Sequence, residues 1–153
     1  MEIIETNEIN GVEVKAVRMK YKDTVQQQGK MVPFEFMASS KEYIDDLIKN
    51  RTRCVCIYNN ITELRVSTVA HKYMFVQAED VCGCIRSIDY DAREVEIEFT
   101  PECCDPNSYR YINPDDYDKY ELKIRGLSER VAGDGNVDKA LVKFIAFDLL
   151  KSE

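Results

Sequence analysis

The chain has 153 residues and a formal net charge of −7, with 44% hydrophobic and 32% charged residues. This balance argues against a disordered chain, and no apolar run reaches the roughly 18 residues that a membrane helix needs. Because Lys and Arg drive nucleic-acid binding, the acidic charge also argues against a nucleic-acid partner. We expect one domain covering residues 1–153, large enough to fold without metal or disulfide staples.

The beginning of the chain predicts a cytoplasmic protein with no membrane partner. A secretory signal opens with basic residues and turns apolar, whereas this chain starts Met-Glu-Ile-Ile-Glu. The six cysteines are therefore expected to be thiols rather than a disulfide framework.

The first hairpin is predicted by its turn residues. Two alternating stretches, residues 3–9 and 12–21, flank Asn10-Gly11, which supplies the positive φ angles of a type I′ turn. The polar residues 23–30 then predict a loop. A short strand is expected over 31–37, and its proline favours a sheet edge.

An amphipathic helix is predicted over about residues 39–50. Ser39 and Glu42 have the spacing of a capping box, in which each side chain bonds the other residue's backbone. The apolar side chains that follow have helical spacing and predict a buried stripe facing a sheet; they are Tyr43, Ile44, Leu47 and Ile48.

The next elements are predicted as strands. Residues 53–58 and 61–68 flank Asn59-Asn60 and indicate a hairpin, and residues 73–77 indicate a further strand.

Residues 81–100 predict another hairpin that folds about Asp91. The expected buried pairs are Ile85 with Ile97, Ser87 with Val95 and Gly83 with Phe99. On the opposite, solvent-facing side we expect Arg86 to pair with Glu96.

The C-terminal third begins with a proline-rich excursion and ends in strands. Residues 101–120 predict a long loop, with a single helical turn starting near Asn113. Residues 121–131 predict a strand and 133–136 a turn. Residues 139–150 fit either a helix or a strand, and their β-branched and aromatic content favours a strand.

The fold class that follows is α+β. We expect a mainly antiparallel sheet or partly closed barrel of seven to nine strands, built from hairpins, with the helix at about 39–50 packed on it. The alternating helices that a parallel α/β fold needs are missing from the pattern.

The excursion carries the residues that we predict to bind a partner. Tyrosine is enriched at interface hot spots, and here tyrosines lie among carboxylates. The predicted partner-binding residues are Tyr109, Tyr111, Tyr117, Asp115 and Asp116.

Two cysteine pairs are the candidates for metal binding. Cys54 and Cys56, like Cys82 and Cys84, are two residues apart and would share one face of a strand. Structural zinc sites prefer two-residue or longer spacers, so isolated packing cysteines are the competing interpretation. The adjacent Cys103-Cys104 would be redox-sensitive if exposed.

No motif predicts an enzyme or a cofactor. His71 is the single histidine, which leaves it as the one candidate general base, acting beside a neighbouring thiol. A loop residue is the competing interpretation of the same histidine. We therefore predict no catalytic residues and no cofactor.

The function favoured by these patterns is a non-enzymatic protein-interaction or assembly module. It would hold a protein partner or a second copy through its sheet edges and the Tyr-rich excursion. Small acidic chains of this kind include structural and accessory proteins of phages and mobile elements. The alternative is a metal- or thiol-dependent protein that uses the two cysteine pairs.

Overall fold

The computed structural model describes residues 1–22, 26–27, 30–31, 34–58, 75–132 and 137–151. Ten strands lie within these ranges: β1 (Glu2–Ile9), β2 (Val12–Lys22), β3 (Gln26–Gln27), β4 (Lys30–Met31), β5 (Phe34–Phe36), β6 (Val55–Tyr58), β7 (Val81–Asp89), β8 (Glu94–Phe99), β9 (Tyr120–Ala132) and β10 (Val137–Lys151). The described helices are α1 (Ala38–Lys49), α2 (Pro101–Cys104) and two 3₁₀ helices, Ala78–Asp80 and Pro114–Lys119.

Six of the strands close into a barrel in the order β2, β8, β7, β6, β10 and β9, and β9 pairs back with β2. This confirms the predicted α+β class with a partly closed barrel and one longer helix. The barrel is mixed rather than purely hairpin-built, because β6 is parallel to β10 and β2 is parallel to β9. Strand β1 lies outside the ring beside β2, and β5 lies beside β10.

The first hairpin forms as predicted. Strands β1 and β2 pair antiparallel up to Ile9 opposite Val12. Asn10 and Gly11 both have positive φ, 51° and 82°, as a type I′ turn requires. A register shift between Ile3 and Glu5 adds one residue to β1 and changes which face its side chains reach.

The β7–β8 hairpin differs from its prediction by one bulge. Gly83 opposes Phe99 and Ile85 opposes Ile97 as expected. The register then shifts, so that Ser87 lies opposite Glu96 instead of Val95, and its hydroxyl donates to that carboxylate at 2.6 Å. Past the bulge Ile88 lies opposite Val95, so apolar pairs flank the shift on both sides while Ser87 is exposed.

The bulge also changes the ion pairs on the outer face of the sheet. The predicted pair of Arg86 with Glu96 does not form, because Arg86 reaches Glu5 on β1. Glu96 instead accepts from Arg18 at 2.9 Å, and Arg18 lies 3.4 Å from Glu94. These contacts link β1, β2, β7 and β8 across the surface.

The predicted helix exists, but the predicted capping box is wrong. Helix α1 starts at Ala38, its N-cap is Met37, and no side chain caps it. The Met37 carbonyl instead accepts from the backbone N–H groups of Ser40 and Lys41. Ile44 and Leu47 are buried as predicted, whereas Tyr43 is 47% exposed. Tyr43 therefore lies beside the apolar stripe rather than within it.

The remaining predictions have mixed outcomes. Strands β9 and β10 confirm the strands expected at 121–131 and 139–150. Of the strand expected at 73–77, the described residues 75–77 are not in a strand. The expected loop at 23–30 holds β3 and the first residue of β4, which pair antiparallel. The strand predicted at 61–68, the turn at 133–136 and His71 lie outside the described residues.

The main core fills the barrel interior, and a second apolar cluster lies on the outside of β6 and β10. The second cluster contains Cys56, Tyr58, Val81, Ile145, Ala146 and Leu150. Both faces of β10 are therefore buried from Phe144 to Leu150. This explains why that segment lacks the alternating pattern of a surface strand.

A buried ion pair accompanies the outer cluster. Arg125 on β9 and Asp148 on β10 are 1% and 2% exposed, and Arg125 Nη2 lies 3.2 Å from Asp148 Oδ1. The same nitrogen donates to Cys56 Sγ at 3.5 Å, and the guanidinium lies over the Tyr58 ring. Burial raises the pKa of Asp148 to about 7; Arg125 lowers it and Asp80 adds to the rise.

Gly83 provides a steric test of the β7–β8 pairing. A Cβ at this position would overlap the backbone carbonyl of Glu98, which cannot move without breaking the ladder. We expect Gly83→Ala to lower the free energy of unfolding by about 3 kcal/mol or more, measured by urea denaturation.

Gly11→Ala is the control for that substitution. Position 11 has open space but positive φ, so the same change should cost only about 1 kcal/mol of backbone strain. Equal costs at the two glycines would contradict the close approach at Gly83.

Asp148 predicts a specific pH dependence of stability. The pKa of Asp148 in the folded protein, about 7, lies above the ordinary value of 3.8. Between pH 3.8 and pH 7 the folded protein therefore keeps a proton on Asp148 that the unfolded chain has lost. The contribution of Asp148 to the free energy of unfolding is therefore at its full value below about pH 4, and it is lost as the pH rises towards 7. The wild-type advantage over Asp148→Asn should therefore shrink by about 1–3 kcal/mol over this range in urea melts. An advantage that grows with pH would mean that attraction to Arg125 outweighs burial.

Candidate functional site

A cleft formed by the described residues lies between the first hairpin and the excursion, here defined as residues 101–119. Its volume is about 620 Å³, within the range of about 300–1,000 Å³ typical of ligand pockets. We call it the hairpin cleft, and its lining comprises Ile3, Gly11, Val12, Glu13, Lys15, Cys104, Asp105, Pro106, Asn107, Tyr111, Ile112, Pro114 and Tyr117.

The excursion is fixed to the barrel along its length. Helix α2 packs against β2, where the Lys15 backbone N–H donates to Cys104 Sγ at 3.5 Å. The Ile112 N–H donates to the Cys103 carbonyl at 2.8 Å, which folds the excursion back on itself. Arg110 donates to the Val81 carbonyl and lies 3.2 Å from Glu102. The outer wall of the hairpin cleft is therefore an ordered part of the fold.

The predicted helical turn near Asn113 forms part of this wall, through Pro114 and Tyr117. Asn113 caps the 3₁₀ helix at Pro114–Lys119 by accepting from the Asp115 N–H at 3.0 Å. Asp116 lies 3.0 Å from Lys119, which lowers the pKa of the Asp116 carboxyl through hydrogen bonding. Asp115 is exposed and forms no ion pair within the described part of the chain.

The three predicted partner-binding tyrosines have three different environments. Tyr109 is 97% exposed and does not line the cleft. Tyr111 is half-buried and lines it. Tyr117 is buried against Phe99, with ring centroids 5.7 Å apart, and burial raises its pKa. Of these three, Tyr111 is therefore the one that lines the cleft without being fully buried, whereas Tyr117 also lines it but is part of the core.

The surroundings of the cleft carry surplus negative charge. Lys15 lies 3.4 Å from Glu13, so its charge is compensated at the rim. Asp105 uses one oxygen to accept from the Asn107 N–H at 2.9 Å and forms no ion pair with a described residue. Glu8, on the neighbouring strand, is exposed and also lacks an ion pair among the described residues.

The free edge of β1 borders the same cleft. Among the described residues, β1 pairs only with β2, so the backbone groups on its outer edge are unpaired along eight residues. Ile3 and Ile9 on this strand are 44% and 43% exposed. Ile3 also lines the hairpin cleft, which makes β1 part of its wall.

The four cysteines predicted as a set are divided between different parts of the fold. Cys54 and Cys82 belong to the main core, whereas Cys56 belongs to the outer cluster. The strand register shifts between Val55 and Cys56, so these two cysteines do not share the expected face. Among the described residues, no group of three or more His, Cys, Asp or Glu side chains could hold a metal ion.

The thiols are also poor nucleophiles. All six cysteines are free. Burial raises the pKa of Cys54 and of Cys56 to about 12, so their thiolate forms are scarce near neutral pH. Cys103 and Cys104 are buried, which removes the condition for the predicted redox sensitivity. Cys84 is the most exposed and lines a smaller cavity of about 190 Å³ beside Arg51 and Arg53.

Comparisons of the chain with protein-family models, curated proteins and solved structures found no match. Within its described residues, no helix has the length and apolar character needed to cross a membrane.

Sequence reasoning found the tyrosines of this site but missed its other wall. Ile3, Val12 and Lys15 belong to a hairpin that was predicted correctly, yet nothing in the pattern indicates that the excursion packs beside it. The sequence places Ile3 on a predicted strand but does not show that its side chain is exposed.

The environments of the thiols predict their order of modification. In the folded protein, N-ethylmaleimide should label Cys84 first, and Cys84→Ser should remove this fast phase. The other five cysteines should react only slowly until the protein is unfolded in urea, as followed by mass spectrometry. Fast labelling of Cys54 or Cys82 in the folded protein would contradict their burial.

Proposed function

We propose that this chain is a protein-interaction module that accepts an extended segment of a partner protein along β1. The single observation that carries the proposal is the edge of β1, eight residues long and attached to a closed barrel, with which no other described strand pairs. A segment that adds to such an edge gains main-chain hydrogen bonds, and its alternate side chains give specificity.

The described barrel gives a physical reason to favour β1 over the other strands. Closure leaves each barrel strand with neighbours on both sides, whereas β1 has one neighbour. The other described strands outside the ring are short: β3 and β4 have two residues each and pair with each other, and β5 has three. The longer β1 edge offers more backbone groups to a partner.

Charge complementarity supports a basic segment as the occupant. Strand β1 carries Glu2, Glu5 and Glu8, and the whole chain has a formal charge of −7. Arg18 and Arg86 compensate Glu2 and Glu5 in part, while Glu8 has no such partner among the described residues. Glutamates on an edge also discourage β1 of a second copy, because like charges on paired strands repel.

The free cysteines bear on the cellular compartment in which the module would act. Six free thiols support a reducing compartment such as the cytoplasm, because disulfides persist mainly in oxidising ones. An accessory role in a phage or mobile element, and a defined oligomer, both stay predictions from the sequence. The metal-dependent alternative gains no support from the divided cysteines.

A charge reversal on β1 tests the proposal. Peptides of twelve random residues would be selected by display on the full chain, and the best binder would be synthesised and measured by calorimetry. We expect it to contain Lys or Arg, to bind more weakly at higher salt, and to lose about five-fold or more in affinity to Glu8→Lys. In hydrogen exchange, the bound peptide should protect residues 2–9.

Asp46→Lys is the matched control, because it makes the same charge change on the exposed face of α1, which packs against β7 and β10. It should bind the peptide within about two-fold of the wild type if the effect is local. Failure to select any peptide, or protection that leaves β1 unchanged, would refute strand addition. A dimer that masks β1 in solution would identify a second copy as the occupant instead.

A further inference from the structure

We infer that the hairpin cleft binds an apolar side chain of the segment that adds to β1. The recognised sequence would then be an extended stretch in which an apolar residue is flanked by Lys or Arg. This inference rests on the proposed function, since it concerns the same partner segment.

The geometry connects the two sites through Ile3. This residue belongs to β1 and also lines the hairpin cleft, so a segment paired with the first half of β1 passes beside the cleft opening. Side chains along a strand alternate between its two faces, with a repeat of about 6.6 Å on each face. One side chain of the added segment can therefore point into the cleft while its neighbours remain outside.

The lining predicts an apolar anchor. The apolar part of the excursion's wall includes Pro106, Tyr111 and Ile112, and Val12 adds apolar surface from the hairpin; Glu13, Lys15, Asp105 and Asn107 supply the polar part of the lining. Anchor residues at interfaces fill such pockets and account for most of the binding energy. Asp105 at the rim has a carboxylate oxygen available for a Lys or Arg next to the anchor.

The alternative that the cleft is only a packing defect is opposed by its construction. Its two walls are held together by the Lys15 N–H bond to Cys104 and by the burial of Tyr117. Tyr111 is nevertheless left half-buried with its side chain on the cleft, where it can pack against a further group.

Two neighbouring tyrosines provide the test. Tyr111 lines the cleft, whereas Tyr109 is almost fully exposed outside it. Tyr111→Ala therefore removes part of the cleft wall, and Tyr109→Ala makes the same chemical change without altering the cleft. The probe is the synthetic peptide from the display selection, together with variants in which each apolar residue is replaced by alanine.

We expect Tyr111→Ala to weaken peptide binding about ten-fold or more, and Tyr109→Ala to leave it within about two-fold. At one apolar position of the peptide, replacement by alanine should weaken binding to the wild type by a similar factor. The same replacement should not weaken binding to Tyr111→Ala any further, because both changes remove the same contact. Ile3→Ser, on the opposite wall, gives a second variant if Tyr111→Ala melts early.

The outcomes separate this inference from the function on which it rests. If Glu8→Lys weakens binding and residues 2–9 are protected, but Tyr111→Ala and Ile3→Ser bind normally, the cleft is not the anchor site and strand addition stands. If no peptide is selected, or if a bound peptide leaves β1 unprotected, both proposals are overturned.

Discussion

The fold depends on the pairing of β10 with three other strands. This strand of 15 residues pairs with β9 along one edge, and on its other edge with β5 and then with β6. The β6 pairing brings a short strand into the ring and allows β7 and β8 to follow, while β9 continues to β2 and completes closure. Without β10 the ring would be open between β6 and β9, because β10 is the strand that pairs with both.

Because β10 is buried on both faces, the carboxylate of Asp148 is removed from water, and its ion pair with Arg125 offsets part of the desolvation cost. Asp148 points to the same side as the outer apolar cluster, where a lone carboxylate would be strongly destabilised. Arg125 comes from the neighbouring strand and offsets part of this cost, although burial still raises the pKa of Asp148. A charged pair that bridges β9 and β10 also opposes a one-residue slip between them, because a slip would separate the two charges.

The sequence predicts the local elements of this protein better than their arrangement. Asn10-Gly11 specifies its turn through backbone conformation alone, and the helical spacing of Ile44 and Leu47 is equally local. The parallel pairings of β10 have no local signature, since they join segments far apart in the chain. Bulges are similarly hidden, and the two at β7–β8 and β6–β7 account for the errors at Ser87 and Cys56.

The candidate site follows the same division. Tyrosines and carboxylates in a proline-rich stretch indicate a binding surface, but composition cannot distinguish Tyr117, which packs on Phe99, from Tyr111, which lines the cleft. The distinction comes from the folded arrangement, in which Tyr117 packs on β8 and Tyr111 stays half-buried.

The edge and the cleft would contribute differently to recognition. The charges of the exposed glutamates on β1 act at a distance. They therefore raise the association rate of a basic segment more than they lower its dissociation rate. Main-chain pairing along the edge accepts many sequences, because each residue offers the same N–H and C=O groups. Selectivity therefore has to come from a position where a side chain is enclosed. Two cavities of the described residues border β1: the hairpin cleft, of about 620 Å³, at Ile3, and a smaller one, of about 190 Å³, at Ile9. The hairpin cleft is the one roomy enough to enclose a large side chain, and Ile3 joins it directly to the strand.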